Sequence, residues 1–355
     1  MLTSKGYIVK KKHVNEENII NELTVRANND FLQNNADNVM EFCVCLETKT
    51  KLYLPRYYGL QKFGMPTMIQ MDEPNEIQCE FSGNLLENQL DPVKEYLKAA
   101  NDPLKMGGIL QLPPGAGKTV MALNILCTLK VKTLIIVHKE FLMNQWKERI
   151  TQYVKNAKVG IIKQKKKEID NDIVIASLQS ICNKTNDEEL FNKFGLVIID
   201  EVHHVGAQVF SRALLKTNFK YALGLSATVM RKDGLSKVFK WFIGDVVYKI
   251  PQKQNVGCKV LIKTYKDDNE EYAKESYLFN GKVNMAKMIN SLTSYIPRTK
   301  YIVENVIDVL KETPTRNVII LSDRRNHLDD MAKMLEGKYE IGLYVGGMKL
   351  SLIHI

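Results

Sequence analysis

At 355 residues the chain is long enough for two or three domains with separate cores, and its 45% hydrophobic and 25% charged content is that of an ordinary globular protein. No apolar run approaches the length a membrane span needs. The basic amino terminus, Met1 to Lys12, lacks the apolar centre of a signal peptide, so neither a membrane protein nor a membrane partner is expected. The net charge of +10 favours an anionic partner without naming it, and the six cysteines form no CxxC pair and no zinc-ligand spacing, which reads as apolar filler in a reducing compartment.

Residues 1–84 carry no nucleotide motif and read as an accessory α/β module: helix or loop over Asn15 to Asn38, alternating strand-like sequence over Met40 to Leu54, then a turn-rich stretch from Pro55 to Pro66. Within that stretch, Pro55-Arg-Tyr-Tyr58 suits either core packing or stacking on bases. Residues 85–250 change character. Apolar runs at Ile109–Leu112, Thr133–Val137, Asp172–Ala176, Leu196–Ile199 and Tyr221–Leu225 alternate with helical sequence, the pattern of an α/β fold with a buried parallel sheet and helices on its faces. Residues 251–299 read as a connector. A second αβ pattern occupies 300–349, with helices at Lys300–Lys311 and Asn326–Leu335 and strands at Asn317–Leu321 and Tyr339–Tyr344. The last six residues, 350–355, reverse-translate to the transposon end used in sequencing adaptors and are expected to be a scar outside the fold.

Three strings lie at the carboxyl ends of predicted strands, where ligands of such sheets bind. The first is Pro113-Pro-Gly-Ala-Gly-Lys-Thr119. Its glycines let backbone N–H groups approach phosphates, the following helix start favours negative charge, Lys118 reaches the β and γ phosphates and Thr119 ligates Mg²⁺. Pro114, Gly115, Ala116, Gly117 and Val120 complete the predicted ATP cradle, although Leu112 stands where the full pattern has glycine. The second string ends a strand on Asp200-Glu201, one carboxylate for Mg²⁺ and one to polarise an attacking water. His203 and His204 follow; adjacent histidines do not face one way, which argues against a metal pair and leaves coupling or a structural role. The third string, Ser226-Ala227-Thr228, has the look of a relay.

Together these strings resemble a superfamily-two helicase of the DExH type, most similar to helicases of poxviruses and other nucleocytoplasmic large DNA viruses and related to the xeroderma-pigmentosum-B group. The resemblance implies RecA-like domains, ATP and Mg²⁺ as cofactors, Lys118, Asp200 and Glu201 as catalytic residues, and Gln89 in Leu86-Glu-Asn-Gln89 reading adenine. It places nucleic-acid contacts at His138, Lys139 and Gln145, at Ser177 and Gln179, at Arg231, and in the second domain at Arg324, Gly346 and Gly347. By spacing alone, Gln145, Ser177, Gln179 and Thr228 could equally cap helices, Trp146 and Trp241 read as packing residues, and Lys163 to Lys167 reads as a solvated loop.

The implied function is an ATP-dependent helicase or translocase in viral transcript release, or in repair and recombination. Viral RNA polymerase or transcription factors are the implied partners, and a cytoplasmic viral factory or the virion the implied location. A duplex translocase that separates no strands, and a transcription factor using ATP as a switch, remain alternatives. The resemblance also implies that an arginine finger and further motifs lie beyond Lys349, so that this chain is expected to bind ATP weakly and turn it over slowly.

Overall fold

A computed structural model of the chain describes residues 1–26, 41–163, 166–182, 194–201, 207–228, 235–250, 260–269, 272 and 274–345. The chain divides into two compact units, Met1–Gln254 and Asn255–Ile355.

The first unit opens with β1 (Leu2–Thr3), β2 (Gly6–Lys10), α1 (Glu16–Leu23), β3 (Thr24–Arg26), β4 (Glu41–Cys43), β5 (Leu46–Glu47), β6 (Lys51–Leu54), α2 (Arg56–Phe63) and β7 (Ile69–Gln70). Asn15 starts α1 by accepting a hydrogen bond from the Asn18 N–H. A five-stranded sheet in the order β5-β6-β2-β1-β7 packs Leu2, Tyr7, Leu52 and Leu54 against Ile19, Leu23 and Tyr58. The alternating stretch expected as one strand over Met40 to Leu54 is three short ones within its described part. The break comes where fully buried Val44 leaves this module and joins the larger core beside Val25.

That larger core surrounds an eight-stranded sheet. Its chain runs through β8 (Glu80–Phe81), which pairs outside the sheet, then α3 (Glu87–Ala100), β9 (Gly107–Gln111), α4 (Lys118–Leu129), β10 (Thr133–Val137) and α5 (Glu140–Tyr153). It continues through β11 (Val154–Lys155), the partner of β8, then β12 (Val159–Lys163), β13 (Lys166–Lys167), β14 (Ile173–Ser177), α6 (Leu178–Cys182), β15 (Leu196–Asp200), α7 (Ala207–Leu215), β16 (Tyr221–Ser226), α8 (Ser236–Ile243) and β17 (Val246–Lys249). The order is β13-β12-β14-β10-β15-β16-β9-β17, parallel throughout except for the antiparallel β12–β13 pair.

The strands are almost wholly apolar because both faces are covered. Leu134, Ile136, Val197 and Ile199 meet Phe210, Val238 and Phe239 of α7 and α8. Ile135, Val137, Leu196 and Ile198 meet Tyr96, Leu123 and Trp146 of α3, α4 and α5. Period-two alternation thus assigns each strand residue to one helical layer. The sheet matches the predicted α/β class, and three of its strands, β12, β13 and β17, go beyond the predicted ones. β12 is interrupted by Gly160, β13 is two lysines, and β17 is a half-exposed edge, so none presents a buried apolar run.

The predicted packing role of Pro55–Tyr58 is the one the fold uses. The buried Arg56 guanidinium donates to the carbonyls of Phe219 and Lys220, 2.8 Å each, at the amino end of β16. Tyr57 donates to the Lys105 carbonyl, and Tyr58 stands edge-on to Trp241 with centroids 5.4 Å apart. Of the Lys163–Lys167 run, expected as a solvated loop, the described residues are strand: Lys163 ends β12 opposite Lys166 of β13, and Lys163 and Lys166 form ion pairs with Glu140 and Glu168.

In the second unit α9 (Met285–Ser294), α10 (Ile296–Glu312) and α11 (Arg325–Leu335) gather around Val303, Met331 and Leu335. The expected strands at Asn317–Leu321 and Tyr339–Tyr344 do not form, and Ile319 and Leu321 are exposed. An apolar run becomes a strand only by hydrogen bonding to a neighbour, and among the described residues none pairs with either stretch.

Candidate active site

Beyond β9 the backbone turns through Gly115 and Gly117, both left-handed at φ +80° and +82°, and enters α4 at Lys118. Gly117 is required twice over. A side chain would be strained at that φ, and a Cβ there would sit 2.2 Å from the Gln89 Nε2. A Cβ on Gly115 would meet nothing within 4 Å, so the loop opens there into free space. Pro114 is exposed, while Ala116, Thr119 and Val120 are half-buried around the first turn of α4.

Leu112 replaces the pattern's first glycine without harm, because its side chain is buried under the α3–α5 layer and only its backbone serves the loop. Its N–H donates to the Ser226 carbonyl at 2.9 Å, and its own carbonyl accepts from the Lys118 Nζ at 3.4 Å. The first bond ties the phosphate loop directly to the third string.

Asp200 closes β15 opposite Leu225 of β16, and Ser226 lies opposite Gln111 of β9, so the three strings are neighbours on one sheet edge. Alternation along β15 turns Asp200 to the α3–α5 side with Leu196 and Ile198. There the Trp146 Nε1–H donates to its Oδ2 at 2.8 Å. Burial pushes the Asp200 carboxyl above the usual range, the Trp146 bond opposes this, and the neighbouring Glu201 carboxylate adds to it. Glu201 holds a left-handed backbone at φ +50°, a conformation that costs a non-glycine residue about 1 kcal/mol or more and concentrates at working sites. Its Oε1 lies 3.2 Å from the Lys118 Nζ, with both side chains largely buried.

Two adjacent carboxylates, one of them buried and reluctant to ionise, share a single lysine beside an open loop of backbone N–H groups. That donor set fits a divalent cation carrying phosphates: Lys118 and the loop on the phosphates, Thr119 and Asp200 on the metal.

Gln89 is buried, and both ends of its amide are engaged. Oε1 accepts from the Leu86 N–H at 3.0 Å, and Nε2 donates to the Ala116 carbonyl at 3.1 Å, bracing the phosphate loop. Along the same sheet edge, Val137 lies opposite Ser177, which brings His138 and Lys139 beside the β14–α6 turn. Lys139, Gln145 and Gln179 are exposed, and His138 is half-buried. Ser177 caps α6, accepting from the Ser180 N–H at 3.2 Å. The Ser226 hydroxyl donates to the Thr228 carbonyl, Ala227 is half-buried, and Thr228 is exposed.

Arg324 belongs to the second unit, where it bonds Asn290 at the start of α11. His203, His204, Arg231, Gly346 and Gly347 lie outside the described residues. Trp146 packs in the core as the sequence suggested, but sequence reasoning missed its bond to Asp200. Its one signal was its place next to Gln145, where a ring inside the core and an amide outside it fall on successive helical positions.

The family model described as "Type III restriction enzyme, res subunit" matches residues 73–231. The mimivirus (Acanthamoeba polyphaga mimivirus) protein named "Putative ATP-dependent RNA helicase L396" is 33% identical over 372 residues, taking in 99% of this chain and 69% of that protein. The chain belongs to the superfamily-two helicases. It is also 39% identical over 165 residues to the "DNA 3'-5' translocase XPB2" of Sulfurisphaera tokodaii, covering 46% of this chain and 35% of that one. The chain spans between about a quarter and about three quarters of the length of the curated relatives it matches. Among solved structures, the UvsW helicase of bacteriophage T4 aligns over 66% of this chain and 94% of its own at 18% identity, with a TM-score of 0.47.

Proposed function

We propose that this helicase-family chain carries the ATP-hydrolysing site of a motor that moves along nucleic acid. The observation that carries the reading is the 3.2 Å pair between Lys118 and Glu201, set beside Asp200 on adjoining strand ends. Bound with ATP, Mg²⁺ would neutralise charge that develops on the transferred phosphoryl oxygens. Phosphates held in the loop would compete with Glu201 for the Lys118 ammonium, so nucleotide binding weakens that pair and frees the Glu201 carboxylate to orient and deprotonate water. The Leu112–Ser226 bond then carries any displacement of the phosphate loop to exposed Thr228, beside the edge where His138, Lys139, Gln145 and Gln179 stand to meet a sugar–phosphate backbone. Arg231, Gly346 and Gly347 take the nucleic-acid contacts that the family resemblance implies, and His203 and His204 the coupling role.

Viral relatives support a viral setting; transcript release beside a viral RNA polymerase, within a viral factory, is the finer placement that the family resemblance implies. Likeness to the archaeal translocase favours a second reading, duplex translocation without strand separation; strand-displacement and triplex-displacement assays run side by side separate the two. The motor itself is tested with Glu201→Gln. ATP binding should persist while nucleic-acid-stimulated turnover falls at least about 10²-fold. Unchanged turnover would show that Glu201 is no base, and unchanged biological output despite lost turnover would favour ATP as a switch.

A further inference from the structure

We infer that Trp146 is a positioning residue for the Mg²⁺ ligand Asp200, an inference that rests on the ATP-site reading above. Met143, Trp146 and Ile150 form the inner stripe of α5 and are all buried. Packing alone would be served by any large apolar side chain. An indole, however, brings an N–H into the core that must find an acceptor or cost free energy. The acceptor here is a carboxylate oxygen: Nε1 to Asp200 Oδ2, 2.8 Å, with both residues buried.

The sheet explains why these two meet although 54 residues separate them. Alternation along β15 turns Asp200 to the layer that contains α5, and β10, the strand leading into α5, is the hydrogen-bonded neighbour of β15. With Oδ2 held by the indole, the plane of the carboxylate is fixed, and so is the direction of its other oxygen. Partners that orient a metal-binding carboxylate in this way typically change metal affinity 10–100-fold when removed. The same helix presents Lys139 at its start and Gln145 on its outer face, so the element that would touch the track also sets the metal ligand.

The test uses Trp146→Phe, which keeps an aromatic ring in the core and deletes the N–H. Binding of a fluorescent ATP analogue is titrated with Mg²⁺ and again in excess chelator. The expected result is a rise of about tenfold in the Mg²⁺ concentration for half-maximal binding, with chelated-nucleotide affinity unchanged. Loss of packing alone would move both affinities or neither.

A second measurement needs no nucleotide. The chain has two tryptophans, so indole ¹⁵N spectra give two signals, assigned with Trp241→Phe. Asp200→Asn should move the Trp146 signal and leave the Trp241 signal in place. A wild-type chain that binds Mg²⁺-nucleotide while Trp146→Phe shows the same Mg²⁺ dependence overturns the inference, as does an indole signal indifferent to Asp200→Asn. A wild-type chain with no Mg²⁺-dependent nucleotide binding overturns the ATP-site reading instead, which the indole measurement tells apart.

Discussion

The two ends of strands β9, β15 and β16 bury charged and polar groups in opposite ways. At the amino end, the Arg56 guanidinium is held by two backbone carbonyls, and the Tyr96 hydroxyl donates to the Ala222 carbonyl at 3.0 Å. Every one of those partners is neutral backbone that no ligand would displace. At the carboxyl end, Lys118 pairs with Glu201, burial raises the Asp200 carboxyl above its usual range, and the backbone is left-handed at Gly115, Gly117 and Glu201. A charge paired with another side chain can be rearranged by a ligand that offers better partners. One end therefore holds the amino-terminal module on the sheet, and the other carries backbone strain and a buried ion pair at the site proposed for nucleotide.

That contrast breaks if disturbing the amino end alters nucleotide binding, or if disturbing the carboxyl end only loosens the fold. Arg56→Ala has the largest expected effect on stability. It removes two charge-assisted hydrogen bonds and strands two carbonyls, a loss of about 3 kcal/mol in denaturant unfolding, with nucleotide affinity unchanged in the folded protein. Gly117→Ala should act the other way. A left-handed alanine costs about 1–2 kcal/mol and its Cβ drives Gln89 off the loop, so equilibrium binding should show roughly tenfold weaker ATP affinity, with a melting temperature lower by only a few degrees.

Asp200→Asn gives the smallest effect and the one with a sign that depends on pH. The folded carboxyl titrates above its unfolded value near 3.9, so the folded state binds that proton more tightly. The stabilisation this brings is complete below the unfolded value and is lost as pH rises through the raised one. Wild type at neutral pH thus carries the cost of a buried carboxylate that the asparagine variant does not. The variant should melt above wild type at pH 7, and the difference should vanish below about pH 4; a difference that persists in acid would mean burial of Asp200 is not its source.

The carboxyl edge was largely legible in the sequence because its chemistry is local: a glycine loop between strand and helix, and two acids ending an apolar run. Leu112 showed where pattern matching stops, since what the loop uses at that position is a backbone carbonyl and N–H, with the leucine side chain turned into the core. The amino-end clamp joins residues 163 and 164 apart, and the Trp146–Asp200 bond residues 54 apart. No spacing rule reaches such pairs; they follow from which strand lies beside which. Strands β12, β13 and β17 were hidden because none is a buried apolar run: β12 carries Gly160, β13 is two lysines, and β17 is a half-exposed edge. Asn317–Leu321 and Tyr339–Tyr344 failed in the other direction, having the composition of strands without a described neighbour to pair with.

The central claim is that Lys118 holds nucleotide phosphates in exchange for its bond to Glu201. Equilibrium titration of a fluorescent ATP analogue in Mg²⁺ tests it, comparing wild type with Lys118→Ala. The account predicts saturable binding that weakens when Mg²⁺ is chelated, and at least about tenfold weaker binding for the variant, the loss of one charge-assisted contact to phosphate. Superimposable isotherms for the two proteins would contradict it.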